Sequence, residues 1–332
     1  MSCHVVLESE RYQVRKKSYR DLVTAPAAAL VLLAMPAVAA GQGMYESGNP
    51  PGPGAKSWLT ERATLPPFDP PRMSNGRPDL RGRWGGSSSG DVIEDTEYVD
   101  VTTPAWESHV SNPADGKLPY QPWALAARDA HRAGLARGWP GETGERLHLD
   151  PQTFCLKSVP RYAQRGFDLA QTPNHVAMML NWGHVHRSIP IDGGSHPSPN
   201  AKFWMGSPRG HWEGDTLVVE VTNLNGKMWL DSAGNFYSEN ARVVERFRLA
   251  SANKMDYEVT IEDPVVFTQP VTLSYDLQRA GTGGGRGGGN GGTPDPYASE
   301  SWEHACHEGN THHIEEAHTL GFMWYEGAVR PE

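Results

Sequence analysis

Residues 181–197, NWGHVHRSIPIDGGSHP, bring three histidines and an aspartate into seventeen residues. Val176, Met178, Leu180 and Trp182 alternate just before and within this stretch, and His184 and His186 share their parity. An unbroken strand turns both imidazoles inward; a break at Gly183, in keeping with Val185, Ile189 and Ile191, turns them out. Facing inward, His186 is a candidate general base, oriented and made more basic by Asp192, with His196 in the same turn as a second candidate. The pair His184 and His186 could instead supply two ligands of a zinc or iron site, which would need a distant carboxylate as well. The Asp192 turn contains Gly193, Gly194 and Pro197, so its carboxylate has a competing task in capping its own backbone.

Two further carboxylates fall on apolar faces. In RVVERFRL, Glu245 shares parity with Val243, Phe247 and Leu249, while Arg242, Arg246 and Arg248 take the other side. In DYEVTIED, Asp263 follows Tyr257, Val259 and Ile261 just before Pro264. A carboxylate facing a core costs several kcal/mol unless it is paired or protonated. Two outcomes stay open: a proton donor with a raised pKa, or a salt bridge to an inward arginine such as Arg187. Glu245 and Asp263 therefore join His186, Asp192 and His196 as candidate catalytic groups. Trp182, His184, Arg187 and Tyr257 are candidate ligand contacts, with Glu308 added from the ACHEGN segment.

Cysteine chemistry depends on compartment. The basic RYQVRKKSYRD precedes the uncharged LVTAPAAALVLLAMPAVAAG, which ends in Ala37-Val38-Ala39, so residues 1–39 read as a signal peptide cleaved near Ala40. An uncleaved anchor is the alternative; no arginine pair precedes the apolar run and no cysteine follows it. The expected location is the periplasm or beyond. Cys3 would leave with the signal, and Cys155 and Cys306 would then pair in an oxidising compartment. Closing a loop of about 150 residues contributes roughly 5 kcal/mol in the chain-entropy picture. A Cys306 nucleophile flanked by His304 and His307 is the competing reading.

The whole chain carries 30 Lys and Arg against 39 Asp and Glu, a net charge of −9, and loss of residues 1–39 makes it more acidic. Nucleic acid is a poor partner for such a surface, and no stable membrane insertion is expected after cleavage. His-Glu-x-x-His and phosphate-loop motifs are missing from the sequence.

Positioning these side chains falls mainly to strands. DTLVVEVT, DYEVTIED and VTLSYDL alternate with period two, and Glu213-Gly214-Asp215 reads as a tight hairpin turn. QPWALAARDAHRAGLARG has helical spacing, with Trp123, Ala126, Ala127, Ala130 and Ala133 on one face. Residues 40–75 are rich in Pro and Gly and read as an extended arm, and residues 281–296 as a Gly-rich loop. The expectation is a single domain over 76–332, mainly β: an antiparallel barrel or sandwich with one or two short helices.

The succession GRPDLRGRW, CLKSVPR, IDGGSHP, GHWEGDTLVVEVTNLN, YSENARVVERFRL, YEVTIEDP and ACHEGN resembles a group of exported, mostly uncharacterised bacterial proteins, over about residues 76–310. Gly82-x-Trp84 is similar to the opening of lipocalin-like (calycin) barrels. The resemblance implies no assigned reaction, and the chain departs from the group at Gly193-Gly194-Ser195-His196-Pro197, where an arginine is usual, and after ACHEGN. If that arginine contacts a ligand elsewhere, the ligand here differs. Lipocalin-like hydratases and cyclases suggest, by analogy, an enzyme moving protons on an apolar substrate inside the barrel: an isomerase, a hydratase or lyase, or a hydrolase. No organic cofactor is expected. A non-catalytic carrier of an apolar small molecule is the alternative, and a His-x-His metal enzyme the third reading.

Overall fold

Strand after strand, every second residue is apolar, and a chain built this way hides its oily face only by curling the sheet onto itself. In a computed structural model, which describes residues 54–86, 92–94, 107–135, 150–180, 183 and 185–280, that is the result. These residues belong to one unit, Ser47–Glu332. The strands are β1 (Gly82–Gly86), β2 (Val110–Asn112), β3 (Phe167–Gln171), β4 (His175–Leu180), β5 (His186–Pro190), β6 (Ser207–Glu213), β7 (Thr216–Thr222), β8 (Arg242–Leu249), β9 (Lys254–Glu262) and β10 (Val271–Arg279).

The sheet is antiparallel throughout, in the order β5-β4-β3-β1-β10-β9-β8-β7-β6, with β2 paired to β10 off this path. It forms a nearly closed nine-strand barrel. The two ends of the path, β5 and β6, meet through side chains. A Cβ on Gly210 of β6 would lie 3.2 Å from Ile189 and 3.3 Å from Ile191, so glycine permits this close approach. Arg209 adds a clamp, its Nε donating to Gly194 O and its Nη2 to Ser195 O at 2.7 Å.

The β6–β7 hairpin turns at Gly214 and Asp215 as expected, pairing Glu213 with Thr216. On β8, Val243, Glu245, Phe247 and Leu249 are buried while Val244, Arg246 and Arg248 face outward. Trp84 is buried in the core with its indole donating to Leu80 O at 2.9 Å, and the Arg279 guanidinium lies 4.2 Å from the ring centroid. Gly82 adopts φ +132, and a Cβ there would come within 2.3 Å of Arg279 Nη1.

Two helices lie outside the sheet. α2 (Pro122–Leu135) occupies the expected segment, but its buried residue is Ala124, while Trp123 is 54% exposed. The face is rotated from the expected one because the Trp123 indole reaches sideways to Val265 O at 3.1 Å and its ring toward Phe236. α1 (Ala55–Thr64) corrects the extended-arm reading of residues 40–75. AKSWLTERAT contains neither Gly nor Pro, so the helix forms between the breakers on either side. Trp58 and Arg62 anchor it to Asp256, with the indole Nε1 2.8 Å from Oδ1 and the guanidinium on both carboxylate oxygens.

Candidate functional site

Inside the barrel the polar groups converge on Glu245. β8 points it inward at register with Val219 on β7 and Val259 on β9, and it is fully buried. β5 contributes Arg187, whose Nη1 donates to Glu245 Oε1 at 3.1 Å and whose Nη2 donates to Oε2. The short 3-10 turn Arg161–Arg165 supplies Tyr162, and β9 supplies Tyr257; both hydroxyls donate to Oε1 at 2.7 Å. Tyr162 also accepts from Arg187 Nη1 at 2.7 Å, and the guanidinium stands 5.0 Å from its ring centroid.

Glu245 thus accepts from one guanidinium and two phenols. Burial alone would favour a neutral Arg187, but the Glu245 carboxylate overrides this and holds the guanidinium charged. Burial, with Glu245 as a further cause, pushes both phenols well above the ordinary tyrosine value, so they serve as donors and not as anions. Arg187 Nε, by contrast, is buried with no hydrogen-bond partner among the described residues.

Aromatic rings extend from this cluster. Phe247 stacks on Tyr257 at 4.7 Å between centroids, Tyr257 on Tyr275 at 5.8 Å, and His109 lies 4.4 Å from Tyr275. Burial lowers the His109 imidazole to about 4, so it is neutral at physiological pH. Around Glu245 the described interior is therefore aromatic, with the Arg187–Glu245 pair of zero net charge and, further along the rings, a neutral imidazole.

Three of the sequence candidates, Glu245, Arg187 and Tyr257, meet here, with Glu245 in the salt bridge that was one of its two open outcomes. His186 does not join them. The chain reverses around Gly183, at φ +81, Leu180 N donates to Val185 O, and β5 returns antiparallel to β4. The reversal exchanges the parity: Arg187 and Ile189 point in, while His186 pairs with the exposed Met179 on the outer face. The inward expectation for His186 is corrected on that ground. Trp182, His184, Cys306 and Glu308 lie outside the described residues.

Asp192 is exposed and accepts from Gly194 N at 2.9 Å, the self-capping turn weighed against its catalytic role; this bond holds its carboxyl below the usual range. His196 is also on the outside, with Nε2 3.2 Å from Glu220, which is bridged in turn to Arg242. Neither side chain reaches Glu245 or the other interior groups. Asp263 is buried but is a turn cap, accepting from Ser238 N at 2.6 Å, Ser238 Oγ at 2.9 Å and Val265 N at 3.2 Å. Among the described residues no three His, Cys, Asp or Glu side chains are grouped as metal ligands.

Sequence reasoning passed over Tyr162, His109 and Asp231. Tyr162 lies in an irregular segment with no period to read, and His109 directly precedes a three-residue strand. Asp231 is fully buried, and burial raises its carboxyl to about 6. It accepts from Ile93 N, Ala233 N and Asn235 N and, at 2.7 Å, from Asn235 Nδ2, which makes it a structural hub of the loop before β8. An open groove of about 590 Å³ runs outside the barrel along α1, lined by Lys56, Ser57, Thr60, Glu61, Thr64 and Glu107. No family model, curated protein or solved structure matches this chain.

Proposed function

We propose that the barrel binds a small, largely apolar molecule in its interior, with Arg187 as the polar anchor. One observation carries the reading: Arg187 Nε is a buried donor without a hydrogen-bond partner among the described residues, while the Nη atoms of the same guanidinium are bound to Glu245. Such a donor is costly to leave unpaired, by about 1–3 kcal/mol, and an acceptor atom on a ligand removes that cost. The stacked rings Phe247, Tyr257 and Tyr275 make the surrounding wall aromatic, and Tyr257 shares Glu245 with Arg187.

A carrier is favoured over an acid–base enzyme because the candidate partners are divided between two faces of the sheet. His186, Asp192 and His196 are outside, while Glu245 is committed to Arg187 and two phenols inside. The catalytic reading keeps one specific support, the neutral His109 against Tyr275, a base sheltered from water and next to the proposed ligand surface. Native mass spectrometry of the exported form tests binding directly. Retention of a small molecule by the wild type and its loss in Arg187→Met would agree with the proposal; retention unchanged in a folded Arg187→Met would remove Arg187 from the site. Turnover lost in His109→Phe while the ligand is still retained would favour the enzyme.

Export to an oxidising compartment and a Cys155–Cys306 disulfide belong to the same proposal. Cys155 is buried, and an oxidising compartment favours its pairing with Cys306. Intact mass with and without reductant tests it.

A further inference from the structure

Resting on the binding proposal, the charges inside the barrel also select the kind of ligand. An arginine in an apolar interior ordinarily suggests a carboxylate partner. Here both Nη atoms of Arg187 are already taken by Glu245, and Nη1 also reaches Tyr162. The Tyr162 and Tyr257 protons are directed at Glu245 as well. What remains on the guanidinium is the Nε–H, buried with no partner among the described residues, and the second hydrogen of Nη2. A second carboxylate would enter beside Glu245 with no cation of its own, in a site where desolvation of an unpaired charge is severe. A neutral oxygen, whether carbonyl, ether or hydroxyl, can accept from Nε–H and brings no charge that needs a cation.

We infer that the interior is a site for uncharged, flat or elongated apolar molecules bearing one hydrogen-bond-accepting oxygen, and that it rejects the corresponding carboxylic acids. Glu245 is then the specificity-determining residue, acting on the ligand by occupying the guanidinium.

Two matched series on purified full-length protein test this by calorimetry: acetylnaphthalene, isopropenylnaphthalene and naphthoate on a flat scaffold, and dodecanol, dodecane and dodecanoate on an elongated one. The oxygen-bearing neutral member of at least one series should bind about 100-fold more tightly than its carboxylate, a factor equivalent to a modest uncompensated charge. It should also exceed its hydrocarbon by roughly tenfold, the worth of one hydrogen bond to a charged donor. Carboxylates binding as tightly as the neutral members would overturn the selectivity while leaving the binding proposal standing, and a hydrocarbon equal to its oxygenated partner would remove Nε as the donor. Failure of every probe to bind sinks both. Glu245→Gln supplies an arm of opposite sign: with the guanidinium released, naphthoate or dodecanoate should gain affinity over the neutral compound, and an unchanged preference in the folded variant overturns the role assigned to Glu245. The wild-type comparison stands by itself if that variant does not fold.

Discussion

Breaking the Arg187–Glu245 pair from each side is expected to give two losses of similar size and different pH dependence. Arg187→Met leaves a buried carboxylate with two phenol donors; Glu245→Gln leaves a buried guanidinium facing an amide. Each single change should cost about 3–5 kcal/mol near neutral pH, because it strands one charge in a dry interior. In Arg187→Met/Glu245→Gln no charge is stranded, and the glutamine oxygen can still accept from Tyr162 and Tyr257. The double variant should therefore be more stable than either single one, with a coupling of about 3 kcal/mol or more against additivity of a few tenths for independent sites. The asymmetry lies in acid: the stranded carboxylate can take up a proton, whereas the stranded guanidinium cannot lose one. Urea unfolding followed by tryptophan fluorescence across an acid-to-neutral series reads both effects. Additive single losses, or a deficit for Glu245→Gln that shrinks in acid as fast as that of Arg187→Met, would refute the view that this is a desolvated, mutually dependent pair.

His109 and Asp231 should offset one another in the pH dependence of stability. The folded His109 is lowered from 6.5 to about 4, so the unfolded chain binds that proton first and stability falls as pH drops from 6.5 toward 4; the folded Asp231 is raised from 3.8 to about 6, so stability falls as pH rises across 3.8 to 6. Between roughly pH 4 and 6 the slopes oppose, and His109→Phe should expose a loss of about 3 kcal/mol on going up through that range, with the opposite sign in Asp231→Asn; parallel pH curves for wild type and both variants would contradict the two assignments. Trp58→Ala should cost about 3–5 kcal/mol by removing a buried indole and its bond to Asp256, measured by thermal unfolding. His186→Ala, on the exposed face, should change stability by less than about 0.5 kcal/mol and leave ligand retention unaltered in native mass spectra.

Much of this barrel is legible along the chain because burial on one face leaves a period-two pattern. That pattern located β7, β9 and β10 and turned Glu245 inward, and the short Glu213-Gly214-Asp215 connection marked an antiparallel hairpin. The orientation of His186 depended on one local event, the reversal at Gly183, which a glycine allows and does not require. Once the chain reverses there, Arg187 replaces His186 in the interior, so one backbone turn exchanges a candidate base for a cation. Helix α1 lay hidden because the Pro and Gly on either side dominate the composition of its segment, and its burial depends on Asp256, nearly two hundred residues onward. Tyr162 and His109 are set by packing between distant segments, for which local spacing carries no signal.

The ion pair also answers a mechanical question raised by the strand order. Among the described residues β5 and β6, at opposite ends of the sheet, make no strand ladder with each other, and their seam includes Ile189 and Ile191 on Gly210 with the Arg209 clamp outside. Arg187 belongs to β5, and Glu245 to β8, two places in from β6 at the other end. Their bond therefore crosses the interior between the two halves that the seam would otherwise separate, and a molecule contacting Arg187 Nε would touch the strut that keeps the barrel shut. Removing the strut should loosen the seam before the sheet: in Arg187→Met, amide exchange should accelerate first in β5 and β6, while β8 to β10, laddered on both sides, stay protected until global unfolding. Uniform acceleration across all strands would mean that the pair contributes to overall stability alone and does not act as a cross-barrel tie.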